Sequence, residues 1–377
     1  MVETPSHITG MTQAQLEDLV KSMGEPGYRV KQLRKWIYRN LAFSFDEMSD
    51  LPSAFRQRLA ATNQLHSLKP EYEATGRDDT LKILFSLGDG LTIESALMSL
   101  QKEGGAGRST ICVSTQVGCA VGCPFCATGR QGFQRNLTAG EIIDQVLYLA
   151  HHLQKPKHES KTDVGGMINR LTNIVFMGMG EPLSNYEALL QAIELLNSPD
   201  YYGLGARNMV VSTAGLAPQI ERFSREKLQV GLAVSLHASD NTLRDRLVPV
   251  NRKYPLEKLM AACREYYMAT GRRVTFEYVL FKGINDSAGQ ARSLARLLRG
   301  LNCHVNLIPV NDTGDRTFQP PARQDILNFE QELRESGTNA TLRQSRGQDI
   351  NAGCGQLRSR MGPTTGNRAK TSKRTGE

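Results

Sequence analysis

The feature that most limits the fold of this chain is a strand-then-helix rhythm in its central part. Six runs rich in apolar and β-branched residues are each followed by a segment with helical spacing. Such alternation predicts a parallel sheet covered by helices. Because six units are too few for a closed eight-unit barrel, we expect an α/β fold built as a partial, open (β/α)6 barrel. A doubly wound sheet is the alternative. The predicted strands are 110–117, 173–179, 208–213, 231–237, 273–280 and 303–310.

Flanking segments complete the predicted organisation. Residues 1–75 read as a small helical, basic domain, in which Thr12 and Gln15 fit a capping box. A second helix near Tyr28 has a polar face rich in Arg and Lys, which is either a solvated face or an RNA contact. Residues 76–108 are predicted to form a β-hairpin and a glycine-rich linker, and 109–346 to form the barrel. The last segment, 347–377, is expected to end in a disordered basic tail.

Composition indicates the partner and the compartment. The net charge is +8, from 46 Lys+Arg against 38 Asp+Glu, which suits a polyanion such as RNA. No run of about 18 apolar residues is present, so no membrane span is expected. The N-terminus also lacks the pattern of a signal peptide. We therefore expect a cytoplasmic protein that does not bind membranes.

Four of the seven cysteines fall between residues 112 and 126, and three of them stand at C-x3-C-x2-C. Cys119, Cys123 and Cys126 follow the first predicted barrel strand, at the edge of the sheet where α/β enzymes place their sites. Three thiolates do not complete a structural zinc site or an ordinary four-cysteine iron–sulfur site. They predict a [4Fe–4S] cluster with one open iron. A four-ligand site with a remote fourth residue is the alternative.

Further polar or glycine-rich groups stand at the ends of other predicted strands. Because the carboxyl ends of parallel strands meet at one edge of the sheet, these groups are expected to line one pocket. Each alone could equally be a turn residue or a helix cap. The candidates, which we expect to bind the cofactor, are Gly180, Glu181, Ser212, Ser235, Leu236, His237 and Asn311.

The cysteine spacing, with Phe125 just before the third cysteine, resembles the signature of the radical S-adenosylmethionine superfamily. GMGEP, residues 178–182, resembles the glycine-plus-glutamate motif of that superfamily. The resemblance implies that S-adenosylmethionine binds the open iron through its amino and carboxylate groups. It also implies that one electron, from an external flavodoxin-like or ferredoxin reductant, cleaves it to a 5′-deoxyadenosyl radical.

A longer set of strings resembles one family, the RNA adenine methyltransferases of the RlmN and Cfr type. The strings span residues 91–357 and include IES, CVSTQVGC, GFQRNLTAGEI, MGMGEPLSNY, HVNLIPVN and RGQDINAGCGQL. One departure is Gly353, where the family commonly has alanine. GMGEPL and EYVL favour the C2-methylating branch over the C8-methylating Cfr branch. The implied substrates are 23S rRNA, at the peptidyl-transferase centre, and tRNA, at the adenosine 3′ of the anticodon.

The same resemblance implies a role for the remaining thiols. Cys354 accepts a methyl group from one S-adenosylmethionine, and a second molecule supplies the radical that activates that methyl group, so two are used per turnover. The carbon then adds to C2 of adenine, and Cys112 releases the product by forming a disulfide with Cys354. Either Glu94 or Cys112 removes the C2 proton. Two other classes remain alternatives: an iron–sulfur electron carrier without methylation activity, and a zinc-bound RNA-binding module.

Overall fold

We describe the fold from a computed structural model of the chain. It describes residues 6–102, 105–154, 170–311 and 316–357. The predicted basic tail, 358–377, lies outside the described residues. Within the described part of the chain, no helix combines the length and the apolar character needed to cross a membrane.

The N-terminal domain is helical, as predicted. Its elements are β1 (Ser6–His7), α1 (Gln13–Ser22), α2 (Arg29–Arg34), α3 (Ser53–Thr62) and β2 (Asn63–Gln64), with a π-helical turn at Lys35–Arg39 that continues α2. The predicted capping box of α1 is confirmed, since the Thr12 side chain accepts from the Gln15 backbone and the Gln15 side chain accepts from Thr12. β1 and β2 pair in parallel and close the domain.

An antiparallel meander follows the N-terminal domain. It consists of β3 (Leu68–Thr75), β4 (Leu81–Leu87), β5 (Thr92–Lys102) and β6 (Gly105–Cys112). The hairpin of β4 and β5 is confirmed. The glycine-rich stretch after it is not a linker as predicted: residues 105–112 form β6, which pairs with β5. The low strand propensity of glycine is overridden here by pairing with a long neighbouring strand.

The barrel part of the sheet continues from β6 without a break. Its seven parallel strands lie in chain order, from β6 to β14. A doubly wound sheet would reverse its strand order at a switch point, so the order confirms the partial barrel. The seventh parallel strand, β14, was not predicted.

The helices and strands after β6 are β7 (Gln116–Gly118), α4 (Ala127–Gln131), β8 (Phe133–Asn136), α5 (Ala139–Gln154), β9 (Asn173–Phe176), α6 (Tyr186–Asn197), β10 (Met209–Thr213), α7 (Ala217–Ser224), β11 (Gly231–Ser235), α8 (Asn241–Leu247), α9 (Leu256–Thr270), β12 (Val274–Leu280), α10 (Ala288–Leu298), β13 (Cys303–Pro309), α11 (Arg323–Glu335) and β14 (Ala340–Leu342).

Arginines of the N-terminal domain hold it against the barrel. Arg39 donates to the carbonyls of Tyr202 and Pro199, at 2.8 and 2.5 Å. The Arg34 guanidinium lies 5.1 Å from the centre of the Tyr201 ring. These two side chains of the basic helix therefore serve domain docking, which corrects the reading of that whole face as solvated or RNA-binding.

The C-terminal segment, residues 343–357, runs back from β14 to the meander. Arg346 donates to the carbonyl of Ser99 at 3.0 Å, so the segment after β14 is linked to β5 of the meander. Two reciprocal contacts add to this link: Gly347 N–H donates to Asp78 Oδ2, and Arg77 N–H donates to Asp349 Oδ2, both at 2.9 Å. The last segment of the described chain is thereby fixed across the opening of the barrel.

Candidate active site

The three predicted cluster cysteines lie in one loop between β7 and α4, at the carboxyl edge of the parallel strands. Cys126 N–H donates to the carbonyl of Cys123 at 3.1 Å, which turns the loop into α4. α4 packs so closely on this loop that a Cβ at Gly129 would lie 2.8 Å from the Cys123 carbonyl oxygen. The Phe125 side chain, within the loop, packs edge-on against His237, with 5.1 Å between the two ring centres.

The donor set of this loop fits a cluster with one open iron. Burial raises the pKa of Cys119 to about 12 and raises the pKa of Cys123 as well, and the charges of neighbouring cysteines in the loop add to both shifts. Among the described residues, however, no three His, Cys, Asp or Glu side chains are close enough to hold a metal ion. Cys119, Cys123 and Cys126 are the residues that would hold the cluster.

Cys354 is held beside the cluster loop by backbone contacts. Ala127 N–H donates to the carbonyl of Gly355 at 2.8 Å. Thr128 Oγ1 donates to the carbonyl of Leu357 at 2.6 Å. Asn311 Nδ2 donates to the carbonyl of Cys354 itself at 3.0 Å. The carrier thiol predicted from sequence thus lies next to the first turn of α4, although 228 residues separate Cys354 from Cys126 (354 − 126).

Cys112 ends β6 and lies near Cys354. Burial raises the pKa of the Cys112 thiol to about 12, and the Cys354 thiolate nearby raises it as well. Burial also raises the pKa of Cys354, although that residue is exposed to solvent; Arg343 opposes the shift. The structure therefore brings together two thiols that the sequence separates by 242 positions (354 − 112).

Glu94 lies in β5, on the face of the sheet that carries Cys112. In the pairing of β5 and β6, Ala96 is opposite Cys112, and residues two apart in a strand share a face. The Glu94 side chain is buried and forms an ion pair with Lys82, with 3.1 Å between Nζ and Oε1. Sequence reasoning missed Lys82. The available signal was a charged residue inside the apolar run LKILFSL.

The GMGEP loop after β9 is tied to both β5 and β7. The Ser114 hydroxyl donates to the Glu94 carbonyl at 2.6 Å and accepts from Met179 N–H at 2.8 Å. Gly180 has φ +102°, and a Cβ there would lie 2.5 Å from the Cβ of Gln116. Only glycine therefore fits at this position.

Glu181 is fully enclosed and already bonded to the chain. Its carboxylate accepts from Ala214 N–H at 2.6 Å and from Leu183 N–H at 3.1 Å. Burial raises its pKa to about 7, which these hydrogen bonds and one from Thr213 partly offset. The side chain joins the ends of β9 and β10, and its predicted contact with the cofactor stays a prediction.

His237 follows β11 in a left-handed backbone conformation, with φ +59°. Burial lowers its pKa to about 3, and the nearby Arg244 charge lowers it as well, so the imidazole is neutral. Nδ1 accepts from Val279 N–H at 3.0 Å, which leaves the ring proton on Nε2. The predicted neighbour Leu236 has its side chain in the main core, and its backbone is bonded within the chain: its N–H donates to the Glu277 carbonyl at 3.0 Å.

Arg244, which sequence reasoning missed, holds the ends of β10 and β11. Its fully buried guanidinium donates to the carbonyls of Ala214, Ser235 and Leu236, at 2.7, 3.0 and 3.1 Å. Burial lowers its pKa to about 10, so it stays charged near neutral pH. The buried Arg244 cation therefore bonds to the backbone of two predicted cofactor-binding positions, Ser235 and Leu236, and its charge acts on the third, His237.

The two remaining predicted cofactor residues, Ser212 and Asn311, lie near the carboxyl ends of two other barrel strands. Ser212 is half-buried in β10, opposite Ala233 of β11. Asn311 is buried after β13, with its Oδ1 accepting from Gln348 Nε2 at 2.7 Å. All the predicted site residues thus lie near the carboxyl edge of the sheet or on the face leading to it. Their individual roles stay predictions.

This fold and this loop define a radical S-adenosylmethionine enzyme, and comparison with known proteins agrees. The family model of the radical SAM superfamily matches residues 113–294. The model of the ribosomal RNA large subunit methyltransferase N-terminal domain matches residues 6–65. A crystal structure of a radical SAM methyltransferase from Sphaerobacter thermophilus superposes with a TM-score of 0.87. It is 49% identical and covers 94% of this chain and 100% of its own.

Two relatives narrow the class. A probable dual-specificity RNA methyltransferase RlmN of Moorella thermoacetica is 48% identical over 93% of this chain and 96% of its own length. The corresponding protein of Geobacillus kaustophilus is 43% identical over 94% and 92%. The chain therefore belongs to the RlmN family of radical SAM RNA methyltransferases. That family implies a [4Fe–4S] cluster, S-adenosylmethionine, an RNA substrate and a reductant.

Proposed function

We propose that this enzyme methylates C2 of adenosine in 23S rRNA, at the peptidyl-transferase centre, and in tRNA, at the adenosine 3′ of the anticodon. The observation that carries the proposal is the position of Cys354. Its backbone is bonded to Asn311, and its neighbour Gly355 accepts from Ala127, the residue after Cys126. A thiol held beside the cluster loop, within the electrostatic reach of Cys112, suits a carrier of carbon between cofactor and RNA.

A protein-bound carrier answers a chemical problem. C2 of adenine is electron-poor, so it cannot displace a methyl group from a sulfonium by itself. The Cys354 thiolate can, because thiolates are good nucleophiles: the S–CH3 bond forms as the sulfonium–carbon bond breaks. When bound, the cluster and two molecules of S-adenosylmethionine supply that methyl group and a radical that removes one hydrogen atom from it. The resulting carbon, still on Cys354, bonds to C2.

Release then requires a base and a second thiol. The C2–H bond breaks, Glu94 takes the proton, and one electron passes from the ring to an oxidised flavodoxin-like or ferredoxin carrier, which restores aromaticity. The Cys112 thiol next gives up its proton and attacks the Cys354 sulfur, so that an S–S bond forms and the S–CH2 bond breaks. The electron pair stays on the carbon, which takes a proton and becomes the methyl group. A flavodoxin-like or ferredoxin reductant supplies the electron that starts the turnover.

Two variants test the carrier. Cys354→Ala is expected to cleave S-adenosylmethionine but to transfer no methyl group, because the carrier sulfur is gone. Cys112→Ala is expected to accumulate covalent protein–RNA adduct, seen as a band shift that ribonuclease removes. Full RNA methylation by Cys354→Ala would overturn the proposal, and an adduct-free Cys112→Ala enzyme under turnover conditions would remove Cys112 from its role.

The position of the methyl group is tested on the RNA. Digestion of the product and mass spectrometry against standards separate 2-methyladenosine from 8-methyladenosine, the product of a Cfr-type enzyme. The same measurement on rRNA and tRNA from cells lacking the gene identifies the substrates: both should lose 2-methyladenosine. Retention in both RNAs would contradict the proposed activity.

A further inference from the structure

A buried ammonium–carboxylate pair lies in the meander, outside the cluster loop. Lys82 of β4 and Glu94 of β5 retain only 9% and 4% of their exposure, and 3.1 Å separates Nζ from Oε1. Lysine is among the residues least often buried. Because Lys82 stands between the buried apolar residues Leu81 and Ile83, its burial requires an explanation.

Strand register places this pair on the same face as the resolving thiol. Lys82 is opposite Ala96 across the β4–β5 ladder, and Ala96 is opposite Cys112 across the β5–β6 ladder. Directly opposed residues share a face, and so do residues two apart in one strand. Lys82, Glu94 and Cys112 therefore lie on one face. Ser95, which faces the other way, bonds to Gln145 of α5 at 2.5 Å.

The position of Glu94 along this face is also held. β5 is antiparallel to β6, so moving from Ala96 to Glu94 leads past the end of β6, toward the carboxyl edge where the cluster loop lies. The Glu94 backbone is bonded on both sides: its N–H lies 3.3 Å from Met179 Sδ, and its carbonyl accepts from Ser114 Oγ at 2.6 Å. On the side chain, Lys82 Nζ contacts Oε1.

Stability does not account for the pair. Removing two charges from water is expensive, and buried ion pairs are often replaced by apolar residues without loss of stability. The neighbours of Lys82 in β4 are apolar and buried, so an apolar side chain would suit this position. A carboxyl group buried here without a cation would bind a proton more readily and could not accept another.

We propose that Lys82 is a positioning residue that keeps the Glu94 carboxylate ionised and directed along this face, and thereby sets the rate at which the C2 proton leaves the protein–RNA adduct. The inference rests on the proposed function. In the step concerned, the C2–H bond breaks, its electron pair stays with the ring, and an O–H bond forms on Glu94. Lys82 acts through Glu94, and its effect is confined to this step.

The experiment uses reconstituted full-length holoenzyme and substrate RNA carrying deuterium at C2 of the target adenosine. It compares wild type with Lys82→Met, Lys82→Gln, Lys82→Arg, Glu94→Gln and the double variant Lys82→Met/Glu94→Gln. Methylation of Cys354 is read by protein mass spectrometry, and adduct decay by gel. Lys69→Met is the matched control, because Lys69 lies in β3 with 78% of its side chain exposed.

Lys82→Met should methylate Cys354 at the wild-type rate. Because general acid–base catalysis contributes about 10²–10⁴-fold, its adduct should decay about tenfold or more slowly. The deuterium isotope effect on that decay should increase, since proton removal becomes limiting. Lys82→Arg should restore most of the rate, and Lys82→Met should add little to the defect of Glu94→Gln. The control should match wild type.

Two results would refute the role of Lys82. One is adduct decay at the wild-type rate in both Lys82→Met and Lys82→Gln while Glu94→Gln stalls. The other is a Lys82→Met defect that appears equally in Cys354 methylation and that Lys82→Arg does not rescue, which a merely structural role would produce. Failure of the proposed function gives a different pattern: wild type forms no adduct, or Glu94→Gln decays normally.

Discussion

The contact of His66 with Asp144 joins the N-terminal domain to α5, and the variant Asp144→Asn tests it. His66 Nδ1 lies 2.7 Å from Asp144 Oδ1, while Asp144 Oδ2 accepts from the backbone N–H and the hydroxyl of Ser67, at 2.5 and 2.6 Å. His66 Nε2 is 2.9 Å from the carbonyl of Ala42. The substitution keeps the size of the side chain and removes its charge.

The expected loss follows from these contacts. The carboxyl is 2% exposed and the imidazole 10%, so solvent screens the pair little. Asparagine has one acceptor oxygen: if this oxygen serves Ser67, the NH2 group faces His66. A hydrogen bond to a charged group contributes about 1.5–3 kcal/mol, and breaking a buried pair costs about 3–5 kcal/mol. We therefore expect Asp144→Asn to lower the free energy of unfolding by about 2–4 kcal/mol. With an unfolding entropy of about 2 cal/mol/K per residue, this lowers Tm by about 3–5 °C.

The loss should depend on pH. Burial lowers the pKa of His66, but the charge and hydrogen bond of Asp144 outweigh it, so the net pKa is raised. A raised pKa stabilises the folded state fully below about pH 6.5, the unperturbed value, and this contribution disappears as the pH rises through the folded pKa. The difference in Tm between wild type and Asp144→Asn should therefore be larger at pH 6 than at pH 9.

The assay is calorimetry at one fixed scan rate, because a chain of this size often unfolds irreversibly. The matched control is Asp46→Asn, since the Asp46 side chain is 97% exposed and its nearest Arg56 nitrogen is 3.9 Å away. This variant should leave Tm unchanged. An equal loss at both pH values would show that His66 is not charged in the folded state. No loss at pH 6 would show that docking does not depend on this pair.

Two further predictions concern the strand ends of the barrel. Gly180→Ala should lower stability by about 1–3 kcal/mol from backbone conformation alone, with more from the clash with Gln116, and weaken S-adenosylmethionine binding measured by dialysis. Gly283→Ala is its control, since Gly283 also has positive φ but no atom within 4 Å of an added Cβ. Arg244→Met should destabilise by about 3–5 kcal/mol in denaturant unfolding, because the buried carbonyls that Arg244 serves lose their donor. A loss under 1 kcal/mol would contradict that role.

The barrel could be predicted because its signal is local. Most predicted helices and strands match the observed ones within a few residues, as for α6 (Tyr186–Asn197). β14 escaped prediction since three residues carry no readable period. The first part of β6, residues 105–109, escaped as well, because its glycines become extended only when β5 pairs with them, whereas residues 110–112 were predicted as strand.

A sequence can indicate candidate site residues only where their spacing along the chain carries the signal. The cysteine triad has such a spacing and stays a prediction. Lys82 has none, because its partner lies twelve positions away (94 − 82), and only the hairpin register shows that the two side chains meet. The prediction for the polar face of the basic helix in the N-terminal domain was incomplete for a related reason. Nothing local to Arg34 or Arg39 reveals that the loop at 199–202 lies opposite.

The hydrogen bond from Ala127 to Gly355 has a consequence for biosynthesis. The loop proposed to bind the cluster is translated more than two hundred residues before Cys354, the proposed carrier thiol. A nascent chain therefore completes this loop before it contains the residue whose carbonyl bonds to Ala127. On the proposed mechanism, a cluster inserted before the final stretch is made would have no methyl acceptor beside it.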